Sequence, residues 1–336
     1  MDTAEQEKMQ FLGFFGVYRE SYKLIFSWKK IFSQITLTLI LPLSFIFLIH
    51  IQVSDALFGK IADDTENLTE TPRGTPQHQK LLDLISSDWT TFFVFKLVYF
   101  ILLLIFSLLS TSAVVYTVAS FYTAKDVSFN KVISVVPKVW KRLMLTFLCT
   151  VVAFILYNVM AAAVMVIWVL TVGVRHGSAA TFLVILIAIL YLVGLVYLTV
   201  VWLLASVVTV LEDSYGYEAM IKSKELIKGN MGLSVMIVLK LNVSFFLTQL
   251  LFSMVVVNGG KLFDLGSMDR TLFGIVCFLL LSHLFLLMLV IQTVLYFVCK
   301  SYHHEIVDKS ALSDHLEVYE CYEPLTTKDV QLDYHV

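Results

Sequence analysis

Six stretches of this chain, at about 31–53, 91–120, 143–172, 179–211, 232–257 and 271–299, each run for 23 or more residues without one Asp or Glu. The hydrocarbon core of a bilayer is about 30 Å thick and an α-helix rises about 1.5 Å per residue, so about 20 apolar residues cross it. All six are long enough, and the surplus in the longer ones permits tilt or an extra turn beyond the bilayer. Backbone N–H and C=O groups cannot stay unpaired in lipid, and the alternation of a barrel strand is absent, which leaves helices. The sequence therefore predicts an all-α integral membrane protein with about six transmembrane helices. Composition agrees: 58% hydrophobic residues, 15% charged and a mean hydropathy of +0.83 exceed what one or two water-soluble cores can bury. A formal charge of −2 offers no basic excess for a phosphate backbone, so direct nucleic-acid binding is not expected.

Orientation follows from the basic residues. Lys96 and Lys240 lie inside spans; of the other 22, the amino-terminal segment, the connections before spans three and five, and the tail hold 16, against 6 on the opposite side. The positive-inside rule then makes both termini cytosolic. The triplet Asn67-Leu68-Thr69 agrees, because it places an N-x-T acceptor on the outer side and makes Asn67 the candidate glycosylation site of a glycoprotein. Asn242-Val243-Ser244 is a second triplet, which the membrane makes unusable. Of the four cysteines, Cys149, Cys277, Cys299 and Cys321, none is placed for an exterior disulfide. Cys299, at the cytosolic end of span six, is the candidate for palmitoylation.

Three regions emerge: a cytosolic interfacial segment at 1–30, the six-span membrane domain at 31–299, and an acidic cytosolic tail at 300–336. In the first, Phe11, Phe14, Phe15, Tyr18, Tyr22 and Ile25 recur at helical spacing opposite Arg19, Glu20 and Lys23, as in a helix lying in the membrane surface. The connections 128–142 and 215–229 each mix apolar positions at three-to-four spacing with lysines, and Gly229 is a helix stop. They suggest two weakly repeated hairpins joined by interfacial elbows. The outer connection, about 54–90, is polar, and its Thr71-Pro72-Arg73-Gly74-Thr75-Pro76 run predicts a flexible centre.

At the tail, Cys299-Lys300-Ser301-Tyr302-His303-His304, then Asp308 to Leu316, Tyr322-Glu323-Pro324-Leu325 and Asp329-Val330-Gln331-Leu332, resemble the ending of a plant family of largely uncharacterised polytopic membrane proteins. Some of its members are labelled polyadenylate-binding-protein-binding protein. The Ser110 to Val136 region, with Pro137-Lys138, is similar too, so the resemblance covers most of the chain from about residue 10. Leu211-Glu212-Asp213, Ala219, Lys222-Ser223 and Leu226-Ile227-Lys228-Gly229 more distantly resemble the membrane domain attached to some bacterial glycerophosphodiester phosphodiesterases. The resemblance implies a six-span protein and supplies no residues for a reaction.

Ionisable and amide groups inside spans are functional candidates by default, because burying them in lipid is costly. Lys240 and Asn242 in span five, His283 in span six and Asn158 in span three all lie towards mid-depth, and Asn158, Asn242 and His283 would form one polar cluster if spans three, five and six pack together. Lys96 and His50 lie near the outer ends of spans two and one and read as interfacial. In the tail, His303, His304, Asp308, Asp314 and His315 match no zinc-site spacing, and no phosphate loop, dinucleotide fingerprint or nucleophile elbow is present. No metal, cofactor or catalytic residue is expected. The leading expectation is a non-enzymatic scaffold or adaptor in endoplasmic reticulum or plasma membrane, with the lipid bilayer, a cytosolic protein bound through 300–336 and further copies of itself as partners. The alternative is a transporter or channel for a small or lipid-like solute through the midplane cluster.

Overall fold

Each expected span is helical in the computed structural model, which describes residues 9–123, 127–171 and 178–303. Among those residues there is no strand, and six helices are long and apolar enough to cross a membrane, making this an all-α membrane protein. In chain order the helices are α1 (Phe14–Ser27), α2 (Lys29–Glu70), α3 (Pro76–Tyr122), α4 (Phe129–Thr171) and α5 (Ser178–Leu211). They continue as α6 (Tyr217–Ile227), α7 (Met231–Val257), the single turn α8 (Gly259–Leu262) and α9 (Ser267–Tyr302). Two contain π-helical turns, α2 at Thr36–Ile40 and α7 at Phe252–Val257.

The polar outer connection is a helical hairpin, not a long loop. α2 runs on to Glu70 and α3 starts at Pro76, so only residues 71–75 form the turn. Its chemistry is local. The residue before Pro72 is disfavoured in the helical region, which ends α2. Gly74 supplies a φ of +88°, and the Thr75 hydroxyl accepts the His78 N–H at 3.2 Å as an N-cap before Pro76 at the first helical position. Lys60 and Asp88 tie the two arms together at 2.9 Å.

The elbows also depart from expectation, for they differ from each other. Ser128 caps α4, which passes unbroken through Pro137 into span three. A proline inside a helix costs about 3 kcal/mol, but here Val132, Val135, Val136, Val139, Leu143, Thr146 and Thr150 form one continuous buried stripe that offsets it. In the second connection α6 is a separate helix, ended by Gly229 at φ +93°. In α1 the packed positions are Val17, Ser21 and Leu24, with the Ser21 hydroxyl donating to the Val17 carbonyl at 2.8 Å. The aromatic stripe does not form that face, and Phe15 is 84% exposed.

The chain forms two compact units, Met1–Ile31 with Thr111–Leu239 and Leu289–Val336, and Phe32–Ser110 with Lys240–Met288. Both draw on α3, α7 and α9, each of which is divided along its length. The first unit has a close-packed interior of Val114, Val115 and Ala119 from α3, Val207 and Val208 from α5, and Val290, Val294 and Val298 from α9. Short side chains let helix axes approach closely, which is how packing holds helices in lipid without a hydrophobic driving force. The second unit centres on Leu48, Phe252, Cys277 and Leu281, ringed by Phe47, Phe245 and Phe285. Apolar side chains such as Ile155, Leu156, Val159 and Met160 of α4 and Phe182, Ile189 and Leu190 of α5 stand exposed, as lipid-facing surface requires.

Candidate functional site

The α2–α3 hairpin brings together two residues that the sequence left apart. His50 lies 23 residues before Arg73 and Lys96 lies 23 after it, so antiparallel arms closing at residues 71–75 set them side by side. Lys96 Nζ is 2.7 Å from His50 Nε2 and donates to Ser54 Oγ at 2.9 Å. While Lys96 carries its charge it has only donors, and Nε2 is then the acceptor with the ring proton on Nδ1. Aromatic faces complete the site: the imidazole stacks on Tyr99 with centroids 3.7 Å apart, and the Lys96 ammonium lies 5.0 Å from the Phe92 ring centre. This half-buried cation with an imidazole partner belongs to the second unit.

A second polar centre closes the basic-rich end of the first unit. α5 ends at Leu211, and the next residue, Glu212, accepts Tyr296 Oη at 2.5 Å and Lys300 Nζ at 2.7 Å, both from α9. Lys300 also donates to Tyr296 Oη at 3.1 Å. The Glu212 and Lys300 side chains are only 18% and 17% exposed. Burial, the largest single influence, pushes the Glu212 carboxyl up; the hydrogen bonds from Lys300 and Tyr296, with the charges of Lys300 and Lys222, together hold it below its ordinary range. Arg142 of α4 donates to the Glu212 carbonyl at 3.2 Å and reaches Asp213 at 3.4 Å. One turn on, Thr146 Oγ1 accepts the Gly216 N–H and contacts Thr209 Oγ1, both at 2.8 Å. Gly216 has φ +63°, a backbone angle that side-chain-bearing residues rarely adopt. Below α6, His303 Nε2 donates to the Leu226 carbonyl at 3.2 Å, and the Tyr302 ring rests on Gly229 so closely that a Cβ there would collide with it.

The residues predicted from the sequence fare differently. Asn158 belongs to the first unit, and Lys240, Asn242 and His283 to the second. Asn158 accepts Tyr191 Oη at 3.0 Å and donates to the Phe154 carbonyl at 2.8 Å, so its amide is engaged with α5 and its own helix. All four of these side chains are exposed. Asn158 thus forms an asparagine–tyrosine pair within the first unit. Cys299, the palmitoylation candidate, is 0% exposed and its thiol hydrogen-bonds Ser234. Asn67 is exposed on α2, one turn before its end. Of the tail residues, His303 is accounted for above, while His304, Asp308, Asp314 and His315 lie outside the described residues.

Sequence reasoning missed both centres. The hairpin pair was signalled by equal spacing about the Pro-Arg-Gly-Thr-Pro turn. Glu212 carried no such signal, since its partners lie 84 and 88 residues on and no local period connects them.

Comparison with curated proteins gives no match, and neither does comparison with solved structures. A family model described as a domain of unknown function matches residues 1–335, and on that match the chain belongs to the family DUF8558.

Proposed function

We propose that this membrane protein is a non-enzymatic scaffold or adaptor of secretory-pathway membranes, acting in the endoplasmic reticulum or plasma membrane, with its basic-rich end towards the cytosol. The observation that carries this reading is the fastening of the α9 exit. Lys300 is held by Glu212, Tyr302 by Gly229 and His303 by Leu226, and Ser301 is buried. Residue 303 is therefore a fixed point on a platform built by α6 and the end of α5, and the hydrophilic residues 304–336 follow it in sequence. A protein bound through those residues would be held at a set position relative to the membrane.

The test is crosslinked recovery of the full chain from native membranes beside a version ending at His303, which keeps the fastening intact. Partners lost with residues 304–336 support the adaptor reading. Recovery of the same partners by both forms, or of self-assemblies alone by both, counts against it.

A second reading, a transporter or channel for a small or lipid-like solute, is favoured by the Lys96–His50–Ser54 centre, because an ionisable pair in a membrane helix hairpin is costly without a use. Flux through reconstituted vesicles that disappears in Lys96→Met while the variant stays folded would support it. Absence of flux in the unaltered protein across solutes of both charge signs and a lipid analogue would remove it.

A further inference from the structure

Arg270 stands in the first turn of α9, one residue before the uncharged stretch 271–299 begins, at the level where hydrocarbon gives way to headgroups. Its Nε donates to the Val256 carbonyl at 2.8 Å and its Nη2 to the Val257 carbonyl at 3.2 Å. Those carbonyls end the π-helical turn of α7, where a helix has no partners of its own for them. Capping thus uses two of the three guanidinium nitrogens and fixes the plane of the third. Nη1 makes no hydrogen bond among the described residues, and no carboxylate among them lies within ion-pair distance of Arg270. The neighbouring Asp269 turns its carboxylate towards Gly266.

Beside this guanidinium lies an open groove of about 540 Å³, wholly within the second unit. Pockets of roughly 300–1,000 Å³ hold small organic ligands. The groove is apolar along Leu48, Phe252, Ile275 and Phe278 and polar where Gln52 and Arg270 border it. An apolar slot at membrane depth with a fixed cation at headgroup level matches an amphiphile that carries a chain and an anion. A zwitterionic phospholipid brings its own ammonium to compensate its phosphate; an anionic one does not, and leaves its charge for Arg270.

We propose that this groove is a binding site for an anionic phospholipid, with one acyl chain along Leu48, Phe252 and Phe278 and the headgroup phosphate on the Arg270 guanidinium. Arginine suits this role because its planar fork can cap α7 and meet a phosphate oxygen at once. The positive end of the α9 dipole adds to the attraction. The site is independent of the scaffold reading, since it shares no residue with the fastened α9 exit.

The experiment uses the full chain in lipid nanodiscs of phosphatidylcholine containing one part in ten of phosphatidic acid, followed by native mass spectrometry of the lipids that stay bound. The unaltered protein is expected to retain phosphatidic acid over phosphatidylcholine at least tenfold above their ratio in the disc. Arg270→Gln should abolish the preference. Gly274→Leu, which leaves Arg270 in place and projects a side chain into the groove from a position where a Cβ makes only ordinary contact with Val256, should reduce retention of both lipids at this site. If Arg270→Gln fails to fold because α7 loses its cap, Gly274→Leu decides. No preference in the unaltered protein, or a preference that survives Gly274→Leu, overturns the proposal. So does full displacement of phosphatidic acid by millimolar inorganic phosphate, which would make the site one for a free anion.

Discussion

Glu212 is the side chain on which the basic-rich end turns. Its folded-state carboxyl lies below the ordinary glutamate range, so its contribution to stability is complete above about pH 4.3, the unfolded value, and is lost as pH falls through the depressed folded one. Glu212→Gln should lower stability at neutral pH by about 1.5–3 kcal/mol, the usual worth of hydrogen bonds to a charged group. The check is the thermal unfolding midpoint of purified protein from pH 7 to pH 3. The gap between the two forms should close on acidification, and a gap that widens would show that the folded-state carboxyl is not depressed. Glu212→Gln combined with Lys300→Met should lie closer to the unaltered protein than Lys300→Met alone, since removing one partner strands the other charge. None of this was legible from sequence. Glu212 lies just past an uncharged run and looks like an ordinary exit residue until α9 returns beside it.

Among the elements, what could be read in advance was whatever local chemistry decides. The hairpin turn, with Pro72, Gly74, Thr75 and Pro76, is written in adjacent residues, and so is the stop at Gly229. The helical arms on either side carry no such local signal, because polar residues mark a loop and a solvent-facing helix alike. Pro137 shows the opposite failure: its local signal says break, and the buried stripe around it prevails. Gly229 combines both levels, for it has a left-handed backbone and it seats the Tyr302 ring. Gly229→Ala should therefore destabilise by more than the roughly 1–3 kcal/mol of backbone strain alone. Adding Tyr302→Ala should recover the collision part and leave the backbone part, so the double variant should unfold at a higher temperature than Gly229→Ala. Equal midpoints would show that the ring does not press on the glycine.

For the whole molecule, the six spans were legible because lipid imposes a length and forbids unpaired backbone, demands that act on every residue of a run alike. The partition into two units was not, since it depends on which faces meet after folding. That partition sets a timetable for synthesis. Neither unit is a continuous piece of chain: the first needs 289–303, and the second needs 240–288 to meet 32–110. While the protein is being made, spans one to four must wait in the bilayer with their packing faces open until α7 and α9 arrive. A chain stopped at Gly266 would lack Leu281 and Cys277 from one core and Val290, Val294 and Val298 from the other. Pulse–chase labelling should find it degraded several-fold faster than the full chain despite its five inserted spans. A truncated chain as long-lived as the full one would show that the early spans form a stable body by themselves. The last helix is thus the keystone of both arches, and a late interruption of translation should be as damaging as an early one.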